Sequence, residues 1–95
     1  MEITKILNGE ILTISLNGRL DTTTAGDLET FLNENLSSAK ELIMDCENLS
    51  YISSAGLRVL LSAKKKINNF KLLNVKDLVM EVFEITGFVD ILTIE

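Results

Sequence analysis

The chain has 95 residues, enough for one domain, since stable cores are usually built in units of roughly 100 to 150 residues. Its 14 acidic and 9 basic residues give a formal charge of −5, so the summed field repels the polyanionic backbone of DNA or RNA and no nucleic-acid partner is expected. Histidine is absent and Cys46 is the only cysteine, which excludes a Ser-His triad, the common zinc sites and an internal disulfide.

The opening MEITKILNGE carries neither the basic region nor the long apolar run of a signal peptide, so the cytoplasm is the expected compartment. No stretch approaches the roughly 20 apolar residues of a membrane span. ITKIL (3–7) and EILTISL (10–16) alternate as strands, and Asn8-Gly9 between them suits a tight hairpin turn. Asn17-Gly18 ends the second strand, and Asp21, Thr22, Thr23 and Thr24 supply candidate N-caps.

Ala25, Leu28, Phe31, Leu32 and Leu36 recur every three or four residues and predict a helix over 23–36, with Thr24 and Asp27 spaced as a capping box. ELIMDC (41–46) is nearly continuous in apolar residues, as in a strand buried on both faces of a parallel sheet. From Ser53 or Ser54 to about Asn68, the residues Leu57, Val59, Leu60, Leu61, Ala63 and Ile67 predict a second helix. Lys64 to Lys66 lie in its last turn, where cations meet the negative end of the dipole.

FKLLN (70–74) is a fourth strand. A third helix is capped by Asn74, carries Val75, Leu78, Val79, Val82, Phe83 and Thr86, and stops at Gly87; FVDILTIE (88–95) closes the chain as a strand. The order β-β-α-β-α-β-α-β predicts a single α/β domain over 1–95, with three to four helices and a mixed, mostly parallel sheet opened by a hairpin.

SYISSAGLR (50–58) is the stretch that points to function. It puts Ser53 and Ser54 on the turn from the third strand to the second helix, at the carboxyl end of the sheet where open α/β folds gather their functional loops. One serine suffices as an N-cap, which leaves the other for display. Ala55-Gly56 keeps the first turn nearly bare, so a partner's backbone could approach closely, and that access would explain a glycine costing a helix up to about 1 kcal/mol relative to alanine. Tyr51 and Ile52 either pack beneath the loop or touch a partner. Cys46 reads as a buried strand residue, because nothing basic stands beside it.

A nucleophilic serine needs a base, and none is placed for it. A phosphate acceptor needs only an exposed hydroxyl, and a phosphate at a helix N-terminus meets free N–H groups and the positive end of the dipole.

LNGRLDTTTAGDLE (16–29), IMDCENLSYISSAGLRVLLSAKKK (43–66) and the closing KLLNVKDLVMEVFEITGFVDIL resemble a STAS domain, specifically the stand-alone bacterial anti-sigma factor antagonists. Leu49 to Leu61 is the specific part of that resemblance. It implies a switch: the unphosphorylated antagonist binds an anti-sigma factor that is also a serine kinase and so frees a sigma factor. Phosphorylation at the start of the second helix ends the binding, and a metal-dependent serine phosphatase restores it.

Carried over by position, the family's phosphoacceptor falls on Ser54, and Asp21 matches the aspartate of the first strand-to-helix loop. The chain departs from the sporulation-type Asp-Ser-Ser-Gly by having Ser53 for the aspartate and Ala55 for the second serine, which makes Ser53 an alternative acceptor. The interface implied is Asp21, Thr22, Tyr51, Ser53, Ser54, Ala55, Gly56 and Arg58, with Arg58 pairing a phosphate or an acidic partner, or standing solvated.

No cofactor or metal is expected, and nothing demands more than a free monomer. The alternative reading keeps the fold and drops the switch: a STAS scaffold or accessory subunit of a transport or stress-signalling assembly. An enzyme is disfavoured, since the chain lacks a Gly-rich phosphate loop and is short for a pocket.

Overall fold

The computed structural model describes residues 1–95 and opens with a hairpin. Strands β1 (Glu2–Asn8) and β2 (Ile11–Leu20) pair antiparallel from Glu2 opposite Asn17 to Asn8 opposite Ile11. The turn is therefore Gly9-Glu10, one residue later than expected, with Gly9 at φ 63° supplying the left-handed backbone the reversal needs.

Asn17-Gly18 does not end β2. The strand continues to Leu20 because its far side pairs parallel with β3 (Glu41–Ile52), twice as long as the expected 41–46. Two register shifts accommodate this. Between Ser15 and Asn17, β3 advances from Asp45 to Asn48, and between Gly18 and Arg19 it advances from Leu49 to Tyr51, one residue more than β2 each time. Such bulges bend a strand and re-aim its side chains. The Ser50 hydroxyl donates to the Gly18 carbonyl at 3.0 Å beside the second one.

The remaining elements are α1 (Ala25–Asn35), α2 (Ser54–Lys66), β4 (Phe70–Leu73), α3 (Asp77–Thr86) and β5 (Thr93–Ile94), with short 3₁₀ turns at Leu36–Ser38 and Phe88–Asp90. The sheet order is β1-β2-β3-β4-β5, and every pair after the hairpin is parallel.

In β3 burial alternates: Leu42, Met44 and Cys46 are buried, while Glu41, Ile43 and Asp45 are only partly covered. The expectation of a strand buried on both faces is thus corrected. Successive parallel strands laid side by side by like-handed crossovers place all their helices on one face, and the other face stays open, crossed by an ion pair between Lys71 and Glu41 at 3.7 Å. A single cluster of 22 apolar residues, including Leu12, Ile14, Leu60, Phe70 and Phe83, fills the space between the helix-covered face of the sheet and the helices.

Three terminal details also differ. Asn74 is not the cap of α3; it sits at φ 58° and its amide donates to Asp45 Oδ1 at 3.1 Å, while Lys76 occupies the cap position. The last strand shrinks to two residues because Gly87, at φ 79°, turns the chain into a 3₁₀ turn whose bonds (Asp90 N–H to Gly87 O, Leu92 N–H to Phe88 O) satisfy that backbone locally. Helix α2 ends at Lys66, short of Asn68, and the Lys64 ammonium donates to the Asn68 carbonyl at 2.7 Å.

Candidate functional site

The carboxyl ends of β2 and β3 carry two loops that meet through one backbone bond. The Ser53 N–H donates to the Leu20 carbonyl at 2.9 Å, which ties the start of α2 to the residue before Asp21. Ser53 has extended backbone (φ −102°, ψ 175°), and its Oγ accepts the Gly56 N–H at 3.4 Å, the geometry of an N-cap. Its carbonyl accepts the Leu57 N–H at 2.9 Å, the first turn of the helix.

Ser54 is the first helical residue. Its side chain is exposed and its Oγ makes no hydrogen bond within the chain. The two serines therefore divide the work: one closes the helix end, the other stands in solvent at the positive end of a 13-residue helix. The N–H groups of Ser54 and Ala55, in the first turn, have no intrahelical acceptor.

Gly56 is buried, and the close approach it allows is internal rather than toward a partner. A Cβ there would lie 2.7 Å from Leu20 Cγ and 2.9 Å from Ile52 Cγ1, so only glycine lets α2 settle onto the ends of β2 and β3. Ala55 is half-buried, and Arg58, one turn on, is exposed with no ion pair.

Asp21 organises the other loop. Its Oδ1 accepts the Thr23 hydroxyl at 2.8 Å, the Thr23 N–H at 3.0 Å and the Thr24 N–H at 3.2 Å. The Thr23 hydroxyl first, and the two N–H groups after it, hold its carboxyl below the ordinary value of 3.8 against a partly opposing desolvation. The Asp21 carboxylate thus takes loop donors ahead of α1, and the expected Thr24–Asp27 capping box does not form, since Thr24 makes no side-chain cap bond. The Thr24 hydroxyl instead accepts the Asp21 N–H and donates to the Arg19 carbonyl, both at 2.8 Å. Thr22 is exposed at the loop's apex.

Arg19 is the residue that sequence reasoning missed. It pairs in register with Tyr51, and its guanidinium lies 4.1 Å from the centroid of that ring and 3.7 Å from Asp21 Oδ2. Arg19 thereby joins the Asp21 loop to the end of β3. Only the bulged register brings it there, so the spacing of Arg19 and Tyr51 in the chain gave no signal. Ile52 packs beneath the loop as one of the alternatives had it, whereas Tyr51 is 40% exposed and holds the arginine at the surface. Cys46 is buried, and desolvation with the neighbouring Asp45 charge pushes its thiol up to about 12. No cavity opens among these residues, and no helix is long and apolar enough to cross a membrane.

These two loops stand at one end of a small α/β scaffold, and the chain belongs to the STAS domain family, whose model matches residues 2–95. It is 36% identical to BtrV of Bordetella bronchiseptica, named as an anti-sigma factor antagonist, over 85% of this chain and 74% of that one. It is 30% identical to the anti-sigma-B factor antagonist of Staphylococcus aureus over 83% and 78% of the two chains. Among solved structures, the anti-sigma factor antagonist SpoIIAA in its unphosphorylated form superposes with a TM-score of 0.83 over 99% of this chain and 88% of that one at 20% identity. Its phosphorylated form from Bacillus does so with 0.75 over 99% and 91% at 19% identity. Members of this antagonist group are regulatory binding proteins rather than enzymes, and the chain is one of them.

Proposed function

We propose that the chain is an anti-sigma factor antagonist switched by phosphorylation of Ser54, acting as a monomer in the cytoplasm. Unphosphorylated, it binds an anti-sigma factor that is also a serine kinase, and a sigma factor is released. The kinase phosphorylates Ser54, binding ends, and a metal-dependent serine phosphatase resets the switch. The interface comprises Asp21, Thr22, Tyr51, Ser53, Ser54, Ala55 and Arg58, with Gly56 holding the helix end close to the strands.

The observation that carries this reading is the division between the serines: Ser53 is engaged as the cap, while the Ser54 hydroxyl is exposed and unbonded. A phosphate on Ser54 adds about −1.5 to −2 charges at neutral pH. An interface formed around a neutral hydroxyl then gains repulsion and a desolvation cost, while the helix N-terminus tolerates the charge without unfolding. The departure from the sporulation-type aspartate supports the same roles, because serine and aspartate are both strong N-caps. The names of the relatives favour the anti-sigma partner.

The test is phosphopeptide mapping of the purified protein after incubation with ATP and an extract of its own cells, beside Ser53→Ala and Ser54→Ala. Phosphate on wild type and Ser53→Ala, and none on Ser54→Ala, is expected. Phosphate on Ser53 moves the switch by one residue. No phosphate on either serine, with a control substrate labelled in the same extract, favours a non-switching scaffold.

A further inference from the structure

Helix α3 buries Val79 and Phe83 in the core and leaves apolar surface uncovered on the flank about a quarter turn round from them. Leu78 is 71% exposed and Ile85 is 85% exposed, and Val82 between them is partly covered. The spacing i, i+4, i+7 places the three on one stripe of the helix. In the turn that follows, Val89 and Ile91 are exposed too. These exposed side chains belong to a different element from the serine loop, so the proposed switch does not account for them.

A second row runs beside the first. Asp77, Glu81 and Glu84 have the same spacing, displaced by one residue and so by about a quarter turn. All three are exposed, none joins an ion pair, and α3 contains no cation. An apolar row flanked by an unneutralised acidic row is the complement of a segment that is apolar on one stripe and basic on the next. A second copy of the chain is a poor occupant, because it would bring another acidic row and another net charge of −5 to the contact.

We propose that the Leu78–Val82–Ile85 face of α3 is a second docking surface, and that its occupant is a cationic amphipathic helix of a partner protein. Leucine or isoleucine side chains of that helix cover Leu78 and Ile85, and its lysines or arginines pair with Asp77, Glu81 and Glu84. A surface on α3 would let the protein hold one partner while the serine loop is free, occupied or phosphorylated.

The test uses the full chain and two synthetic peptides of about 20 residues, long enough to sustain a helix. Both carry leucine at i, i+4 and i+7; one has lysine and the other glutamate at the flanking positions. A scrambled lysine peptide is the control. Titration followed by amide NMR is expected to show the lysine peptide binding at residues 77–86, at least tenfold tighter than its scrambled and glutamate counterparts.

Leu78→Ser with Ile85→Ser is expected to weaken that binding at least tenfold while leaving the unfolding curve in place, since both side chains are exposed. Glu81→Lys with Glu84→Lys is expected to exchange the preference to the glutamate peptide. Equal binding of scrambled and ordered lysine peptides, shifts centred elsewhere, an unexchanged preference or no binding at all overturns the proposal. So does a concentration-dependent dimer in sedimentation that Leu78→Ser with Ile85→Ser abolishes, because a second copy would then be the occupant.

Discussion

Replacing Gly56 by alanine sets helix propensity directly against packing. Alanine is favoured over glycine in a helix by about 1 kcal/mol, so an uncovered position would gain stability. The added methyl would lie 2.7 Å from Leu20 Cγ, 2.9 Å from Ile52 Cγ1 and 3.1 Å from Leu20 Cδ2. Leu20 and Ile52 are both buried, so neither is a loose end that swings aside. Overpacking of this kind costs about 1 to 3 kcal/mol, and two contacts under 3.0 Å place it at the upper end.

The net expectation for Gly56→Ala is a loss of about 1 to 2 kcal/mol, or a fall in Tm of roughly 4 to 16 °C for a domain of this size. Gly26 in α1 is the internal control: a Cβ there meets nothing within 4 Å, so Gly26→Ala should gain about 0.5 to 1 kcal/mol. Urea and thermal unfolding of the two variants beside wild type decide the matter. If Gly56→Ala is as stabilising as Gly26→Ala, the tight seating of α2 on Leu20 and Ile52 is refuted.

Ser53→Ala removes the cap of α2 and should cost about 0.5 to 1 kcal/mol, the low end because the bond is long at 3.4 Å, whereas Ser54→Ala should stay within about 0.5 kcal/mol of wild type in denaturant titrations. The depressed carboxyl of Asp21 contributes stability present above its ordinary value of 3.8 and lost as pH falls through its lower folded value; carbon-detected NMR should find its midpoint below 3.8, and acid unfolding of Asp21→Asn should lose that dependence. The Cys46 thiol, raised from 9.0 to about 12, favours the folded state fully below pH 9 and loses that contribution as pH rises toward 12. A thiol reagent at pH 8 should label native Cys46 only as fast as the chain opens, and rapid labelling would place the residue outside the core.

Much of the architecture can be read from short spans of the chain. Apolar spacing marks α1, α2 and α3, Gly9 and Gly87 mark a turn and a C-cap, and alternation marks the hairpin. The helices and turns rest on hydrogen bonds between residues a few positions apart, and the hairpin ladder grows outward from a pair, Asn8 and Ile11, that is equally close in the chain, which is why residue order alone marks them. The division between Ser53 and Ser54 was half legible: a pair of serines before a helix announces a cap, but which one caps depends on where the backbone of β3 stops being extended.

Tertiary structure decided the rest. ENLSYI has the polarity of a loop and becomes strand because β2 offers it a parallel ladder, with two bulges taking up the excess length. The same register sets Arg19 on Tyr51 and beside Asp21, and the seating of α2 turns Gly56 from an apparent opening for a partner into a necessity of the core. In the same way Asn74, a good cap by composition, is drawn to Asp45 on the open face of the sheet. Residue order specified helices, turns and the serine pair because their stabilising bonds close within a turn or two of chain. The bulges, the arginine on its tyrosine and the seating of the buried glycine on Leu20 depend on contacts between residues about 30 or more positions apart, whose geometry exists only once the sheet has formed.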